Sequence, residues 1–181
     1  KSYNSQLGVA LSILELPLEA DLALIEAAAT KPGEMLKLQA MIQPNFGLVT
    51  NYHLRGNEFK DLDQYKAELQ NLLHVCQWVL TDEVLQGVQN KDFLDLEQFI
   101  PFKDPASVQN ARLALAFALK FASISVKNIT SLPRLALRLE TFEGIQHATL
   151  IQDAYTLDSL AFEGSLAYLK TLSAGKKTLV C

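Results

Sequence analysis

Apolar side chains recur every three or four positions along most of this chain, the spacing that places them on one face of an α-helix. The clearest stretch begins at Leu62 and continues through Leu69 and Val79. Asp61 precedes it and Gln64 follows three residues later, a pattern typical of a helix N-terminus. We therefore predict the longest helix of the chain from Asp61 to about Leu80.

The same spacing predicts further helices, separated by proline and glycine signals such as Pro32-Gly33. Alternating apolar residues leave a strand open as the alternative for residues 34–43. Asp104-Pro105 is typical of a cap followed by proline at the first helical position. The predicted helices cover residues 3–15, 18–30, 34–43, about 82–90 and 105–124, with two more opening at Ser131 (through Phe142) and at Asp158 (through Leu169).

These elements predict an all-α fold: a single-domain, multi-helix bundle of about seven or eight helices spanning residues 1–181. The chain shows neither the alternation of strands and helices that marks a parallel sheet nor a repeat of fixed period. Residues 45–60 interrupt the helical pattern and are predicted to form one long irregular loop, with a small hairpin through Leu48-Val49-Thr50 as a further option. Loops of this length are often functional.

The loop at residues 45–60 holds the predicted binding site, made of Tyr52, His53 and Arg55 beside Asn51. A phenol, an imidazole and a guanidinium brought together can bind a carboxylate or a phosphate. The alternative is a structural loop in which Tyr52 and Phe59 plug the core.

The most apolar run, residues 111–126, contains two cations and is shorter than the roughly 20 residues that cross a bilayer. We therefore predict a buried core helix, with Leu115 and Phe117 both buried, and no membrane span.

Composition narrows the functional classes. The net charge is −4 and no basic stripe is present, so no nucleic-acid binding is predicted. The two cysteines, Cys76 and Cys181, form no disulfide framework, which favours a reducing compartment and hence the cytoplasm. A chain that starts at Lys1 leaves a removed signal peptide open.

No catalytic motif, metal site or cofactor is predicted. Glu140, Glu143 and His147 have a spacing that resembles a metal site, but Gly144 interrupts it and the residues are better interpreted as a solvated polar face. A second segment, Phe93 to Phe102, is apolar and carries Asp92, Asp95 and Glu97 around it. Such a segment docks a basic partner or folds over the core.

The predicted function is a non-enzymatic helical interaction module that binds another protein. The alternative is a helical carrier or sensor with an apolar small-molecule pocket between helices. An enzyme with dispersed active-site residues ranks third.

Overall fold

The computed structural model describes residues 4–52, 54, 58–102, 104–133, 140–153 and 159–173, with backbone alone for residues 159–161. The chain divides into two compact units, Lys1–Gly87 and Val88–Cys181. Two compact units can belong to one domain or to two, so the single domain over residues 1–181 stays a prediction.

The first unit is mixed α/β, which makes the all-α prediction wrong. Two short strands pair in parallel, with Phe46 opposite Trp78, Gly47 opposite Val79 and Leu48 opposite Leu80. A helix connects them, so strand, helix and strand form a βαβ unit. Its elements are α1 (Gln6–Leu14), α2 (Glu34–Ile42), β1 (Phe46–Leu48), α3 (Leu62–Leu73), β2 (Trp78–Leu80) and α4 (Asp82–Gln86).

Helix α3 begins where the sequence predicts. The backbone N–H of Gln64 donates to the Asp61 carboxylate at 2.8 Å, and the Gln64 side-chain oxygen accepts from the backbone N–H of Lys60 at 2.7 Å. The predicted end at Leu80 is wrong, because the helix stops at Leu73. The three-to-four spacing continues by coincidence through a turn and into β2, which at three residues is too short to show its own period.

The predicted helix over residues 18–30 is also wrong, since no helix forms there. Ala29 is buried in the core of the unit, and Ile25 and Ala27 pack against it. A period of two is that of an extended chain with one side facing the core. The apolar residues of this segment fit both the helical spacing of three to four and the extended spacing of two. Packing against the core decides in favour of the extended chain.

The core of the first unit lies between α1, α2, α3 and the end of β1. Glu68 of α3 is buried within it, at 6% exposure. Its carboxylate accepts a hydrogen bond from the backbone N–H of Met35 at 2.8 Å, in the first turn of α2. The Asn71 side chain also donates to it at 3.2 Å. The buried apolar members of this core are Val9, Ala29, Met35, Leu38, Val49, Phe59, Tyr65, Leu69 and Leu73.

The second unit contains four helices and a hairpin among its described residues. Strands β3 and β4 pair antiparallel, with Glu140 opposite Gln152 and Glu143 opposite Thr149. Helix α5 contacts both α6 and α7. The elements are α5 (Lys91–Glu97), α6 (Pro105–Ala118), α7 (Val126–Thr130), β3 (Glu140–Glu143), a 3-10 turn (Ile145–His147), β4 (Thr149–Gln152) and α8 (Ser159–Thr171).

The sequence predictions for this unit are partly confirmed. The Asp104 carboxylate caps α6, and Pro105 is its first residue. Leu115 is buried as predicted, but Phe117 is half-buried, so that part of the prediction is wrong. The predicted helix from Ser131 through Phe142 is wrong at both ends, since Ser131 ends α7 instead of opening a helix and Phe142 lies in β3. Residues 134–139 lie outside the described residues.

None of the helices in the described part of the chain is both long enough and apolar enough to cross a membrane.

We expect Glu68→Ala to lower the free energy of unfolding by about 2–3 kcal/mol, because it leaves the buried N–H of Met35 without an acceptor. Glu68→Gln should cost less, ~1 kcal/mol, since an amide oxygen still accepts, though more weakly than a carboxylate. Urea unfolding followed by circular dichroism measures both. Gln70→Ala, at an exposed position of α3, is the control; an equal loss there would contradict the role given to Glu68.

Gly47 of β1 lies close to the Leu73 side chain of α3. A β-carbon at this position would lie 2.6 Å from Cδ2 of the buried Leu73. We therefore expect Gly47→Ala to destabilise the protein by about 1–3 kcal/mol through overpacking. Gly164→Ala in α8, where a β-carbon meets nothing within 4 Å, should instead stabilise by about 0.5–1 kcal/mol. Thermal unfolding of the two variants tests the contrast, and equal shifts would refute it.

Candidate functional site

The candidate site lies at the carboxyl ends of the two parallel strands. The backbone N–H of Val49 donates to the carbonyl of Leu80 at 2.9 Å, which extends the pairing by one residue. The chain then leaves the strand at Thr50. Open α/β sheets bind ligands beyond the carboxyl ends of their strands, where the backbone of the loops is no longer paired with a neighbouring strand.

A cavity of about 130 Å³ opens at this edge, lined by Glu26, Ala27, Ala28, Met35, Leu48, Val49, Thr50, Asn51, Tyr65, Leu69, Leu72 and Leu73. The helices α2 and α3 supply a mainly apolar wall. Three residues supply polar side chains that are exposed to solvent: Glu26, Thr50 and Asn51. The cavity therefore joins an apolar wall to a carboxylate, a hydroxyl and an amide.

The segment before α2 brings Glu26 to the end of β1. The Asn4 side-chain amide donates to the Glu26 carboxylate at 3.0 Å. Further along, the Glu34 carboxylate accepts from the backbone N–H groups of Thr30 at 2.8 Å and Lys31 at 3.2 Å. These bonds, with the Thr30 N–H contributing most, lower the pKa of Glu34. The turn at Gly33, where φ is +85°, completes the connection to α2.

Tyr52 flanks the cavity and is half-buried against the core. The ammonium of Lys66 lies 5.1 Å from the centroid of its ring, within the range of a cation–π contact. Burial raises the pKa of the Tyr52 phenol, and the Glu83 carboxylate of α4 raises it further. The ring therefore lies against the core and beside Lys66 of α3.

The structure describes part of the site predicted from sequence. Asn51 lines the cavity and Tyr52 lies beside it, whereas His53 and Arg55 lie outside the described residues. Phe59 is buried, as the alternative reading of this loop expected, and its ring meets Tyr65 edge-on at 5.1 Å. The prediction of one irregular loop over residues 45–60, with a hairpin as an option, is wrong, because the range contains β1, which pairs in parallel with β2. The residues after β1 include a buried part and a part that lines the cavity.

Sequence reasoning missed Glu26 and Thr50. Glu26 stands alone in an alanine-rich stretch that was predicted to be helical. Thr50 becomes conspicuous once Phe46–Leu48 is recognised as a strand, because the residues that directly follow a parallel strand are candidates for binding.

The metal-like spacing at residues 140–147 does not form a metal site. Glu143 and His147 contact each other at 2.9 Å, between a carboxylate oxygen and Nδ1, and both side chains are largely exposed. Among the described residues, no three His, Cys, Asp or Glu side chains are grouped to hold a metal ion.

The acidic segment of the sequence lies on α5. Glu97 pairs with Arg112 of α6 at 2.8 Å. Asp92 and Asp95 line an open groove of about 570 Å³ together with the end of α6 and the residues after it, Leu119 to Ile124. This groove is more open and lies in the second unit.

The chain is similar to one enzyme in both sequence and structure. It is 21% identical over 221 residues to the UDP-N-acetylmuramoyl-tripeptide–D-alanyl-D-alanine ligase of Bacillus subtilis (strain 168), covering 99% of this chain and 48% of the ligase. It superposes on a crystal structure of MurF from Acinetobacter baumannii with a TM-score of 0.71 and 21% identity, covering 94% of this chain and 47% of that one. No protein-family model matches the chain.

These two matches correct the sequence predictions. The likeness to MurF shows a mixed α/β fold and so confirms that the all-α bundle is wrong. The prediction of a non-enzymatic interaction module, with its helical-carrier alternative, is also wrong, because both similar proteins are a ligase. The chain spans about half the length of each.

We expect the pKa of Tyr52 to lie above the ordinary tyrosine value of about 10. Burial is the larger cause of this increase and the Glu83 carboxylate the smaller one. Glu83→Gln should therefore lower the pKa of Tyr52, but not as far as the ordinary tyrosine value. The unfolded chain loses the phenol proton more readily, so the free energy of unfolding falls as the pH rises above the unfolded pKa, and Glu83→Gln should lessen this fall. NMR titration of the ring carbons gives the pKa. Asp82→Asn is the control, and an equal decrease there would contradict the assignment to Glu83.

Proposed function

We propose that this chain is part of a ligase that joins a short peptide to a UDP-N-acetylmuramoyl peptide. The observation that carries the proposal is the likeness to such a ligase along nearly the whole chain, in sequence over 99% and in fold over 94% of its length. The activity and the substrates belong to the proposal, since the chain spans about half of the similar proteins.

The cavity at the end of β1 suits one end of such a substrate. Its volume of about 130 Å³ equals that of roughly four water molecules at about 30 Å³ each. Pockets that enclose a drug-sized ligand measure about 300–1,000 Å³. The cavity therefore has room for a small polar group beside a methyl group, such as one end of an alanyl dipeptide, and is too small to enclose a whole nucleotide.

The polar side chains offer the interactions that amide formation needs. In this reaction a nucleoside triphosphate first transfers a phosphoryl group to the carboxyl group of one peptide. The amine nitrogen of the other peptide then bonds to the carboxyl carbon, the bond from that carbon to the phosphate oxygen breaks, phosphate leaves, and the amine loses a proton. Thr50 and Asn51 supply hydrogen-bond donors for an oxygen on which negative charge develops. Donors that are already in position stabilise this charge without having to reorient during the reaction. The Glu26 carboxylate supplies an acceptor for the proton of the amine.

We place the reaction in the cytoplasm, in accord with the low cysteine content of the chain. The protein partner and apolar small molecule suggested by the sequence, and the lack of nucleic-acid binding, stay predictions.

The assay uses the longest natural chain that contains these residues, with UDP-N-acetylmuramoyl-tripeptide, D-alanyl-D-alanine and a magnesium–nucleoside triphosphate to activate the carboxyl group. We expect mass spectrometry to detect the joined peptide. Glu26→Gln and Asn51→Ala should each lower kcat/KM by about 100-fold, the effect of losing one proton acceptor or one donor at the reacting atoms.

Glu19→Gln is the matched control, an exposed carboxylate that does not line the cavity. It should keep activity within about twofold of the unmodified protein, as exposed substitutions usually do. Absence of product from the unmodified protein would reject the ligase proposal. Product formation that neither variant impairs would keep the ligase and reject this cavity as its site.

A further inference from the structure

Seven leucines near the start of the first unit are exposed to solvent. Three of them are almost fully exposed: Leu14 at 82%, Leu18 at 99% and Leu24 at 82%. We call the set the leucine face; its members are Leu7, Leu11, Leu14, Leu16, Leu18, Leu22 and Leu24. Single exposed leucines are ordinary, but so many within 18 consecutive positions mark a surface that contacts something else.

Helix α1 shows that the exposure is a second face and not poor packing. Val9 is completely buried, and Ile13 packs against the core. Leu7, Leu11 and Leu14 follow at intervals of four and three, so they share a stripe on the helix. A helix that is apolar on more than one side is normally covered on more than one side.

The segment after α1 continues the leucine face. Ile25 and Ala27 pack against the core with a period of two. Because alternate residues of an extended chain lie on opposite sides, Leu22 and Leu24 lie on the side away from the core, and both are exposed. The face therefore runs from the helix along the outer side of the segment that leads to Glu26.

The charged side chains within the segment that carries the leucine face, residues 5–30, are all negative. Residues 5–30 contain no lysine or arginine and hold four carboxylates: Glu15, Glu19, Asp21 and Glu26. A second copy docked by two-fold symmetry would bring like charges together. The surface instead fits an apolar occupant with basic residues at its rim.

We propose that the leucine face is the docking surface for another part of the same polypeptide, apolar with a basic rim, that lies outside Lys1–Cys181. More than half of each similar ligase has no counterpart in this chain, whereas nearly all of this chain has a counterpart in them. The proposal uses that likeness in sequence and fold and does not depend on the ligase reaction.

Thiol accessibility in the longest natural chain tests whether the face is covered. Leu14→Cys and Leu18→Cys replace two exposed leucines, and Lys37→Cys places the control on an exposed position of α2. Peptide mapping separates these sites from Cys76 and Cys181. We expect the thiols at positions 14 and 18 to react at least about tenfold more slowly than the control, because reaction then requires local opening.

A photo-crosslinker on Glu19→Cys, at the rim of the face, identifies the occupant in an equal mixture of ¹⁴N- and ¹⁵N-labelled protein. Crosslinks within one isotope to residues outside Lys1–Cys181 support the proposal. Mixed-isotope crosslinks would show a second copy and overturn it. Rapid reaction at positions 14 and 18, or a natural chain without further residues, would overturn it as well. Circular dichroism confirms that each variant folds, and the ligase assay is not needed for any of these outcomes.

Discussion

The buried carboxylate of Glu68 holds the first unit together at its centre. It lies on α3 and accepts the backbone N–H of Met35, so it fixes the first turn of α2 against α3. A charge in this position must be compensated, and the N-terminus of a helix does so with its free N–H groups and its dipole. The carboxylate of Glu34 then holds the turn at Thr30 and Lys31 immediately before α2. Two carboxylates thereby place the segment that carries Glu26.

The cavity follows from this arrangement. One of its walls is the end of β1, where Gly47 lets α3 approach the strand closely. The other wall is the extended segment before α2. The side chains on one side of this segment pack against the core and so fix its position. Glu26 and Asn51 are 25 positions apart in sequence, yet both line the cavity. A cavity built in this way depends on backbone placement more than on any single sequence motif, because the residues that line it come from separate parts of the chain.

The leucine face bears on the function predicted from the sequence. The sequence predicted an interaction module, and the two similar ligases contradict that function. The exposed leucines are concentrated on α1 and the segment after it, next to the wall of the cavity that carries Glu26. Apolar surface of this kind is equally expected where parts of one enzyme pack together.

The sequence by itself determined where several helices begin. Asp61 and Asp104 each cap the helix predicted from them, because capping joins a side chain to a backbone N–H three residues away and needs no distant partner. Asn51, noted in the sequence for its place outside the helical pattern, lines the cavity, and a binding role for Tyr52 stays a prediction. Tertiary structure decided the strands and the extended course of Leu18–Thr30. A three-residue strand carries too little periodicity to be recognised, and it forms because pairing with a segment 32 positions away, as between Phe46 and Trp78, satisfies its backbone. Tertiary structure also places Glu26 at the cavity. Its position depends on the contacts of Ile25 and Ala27 with the core, and these contacts cannot be read from the local sequence pattern.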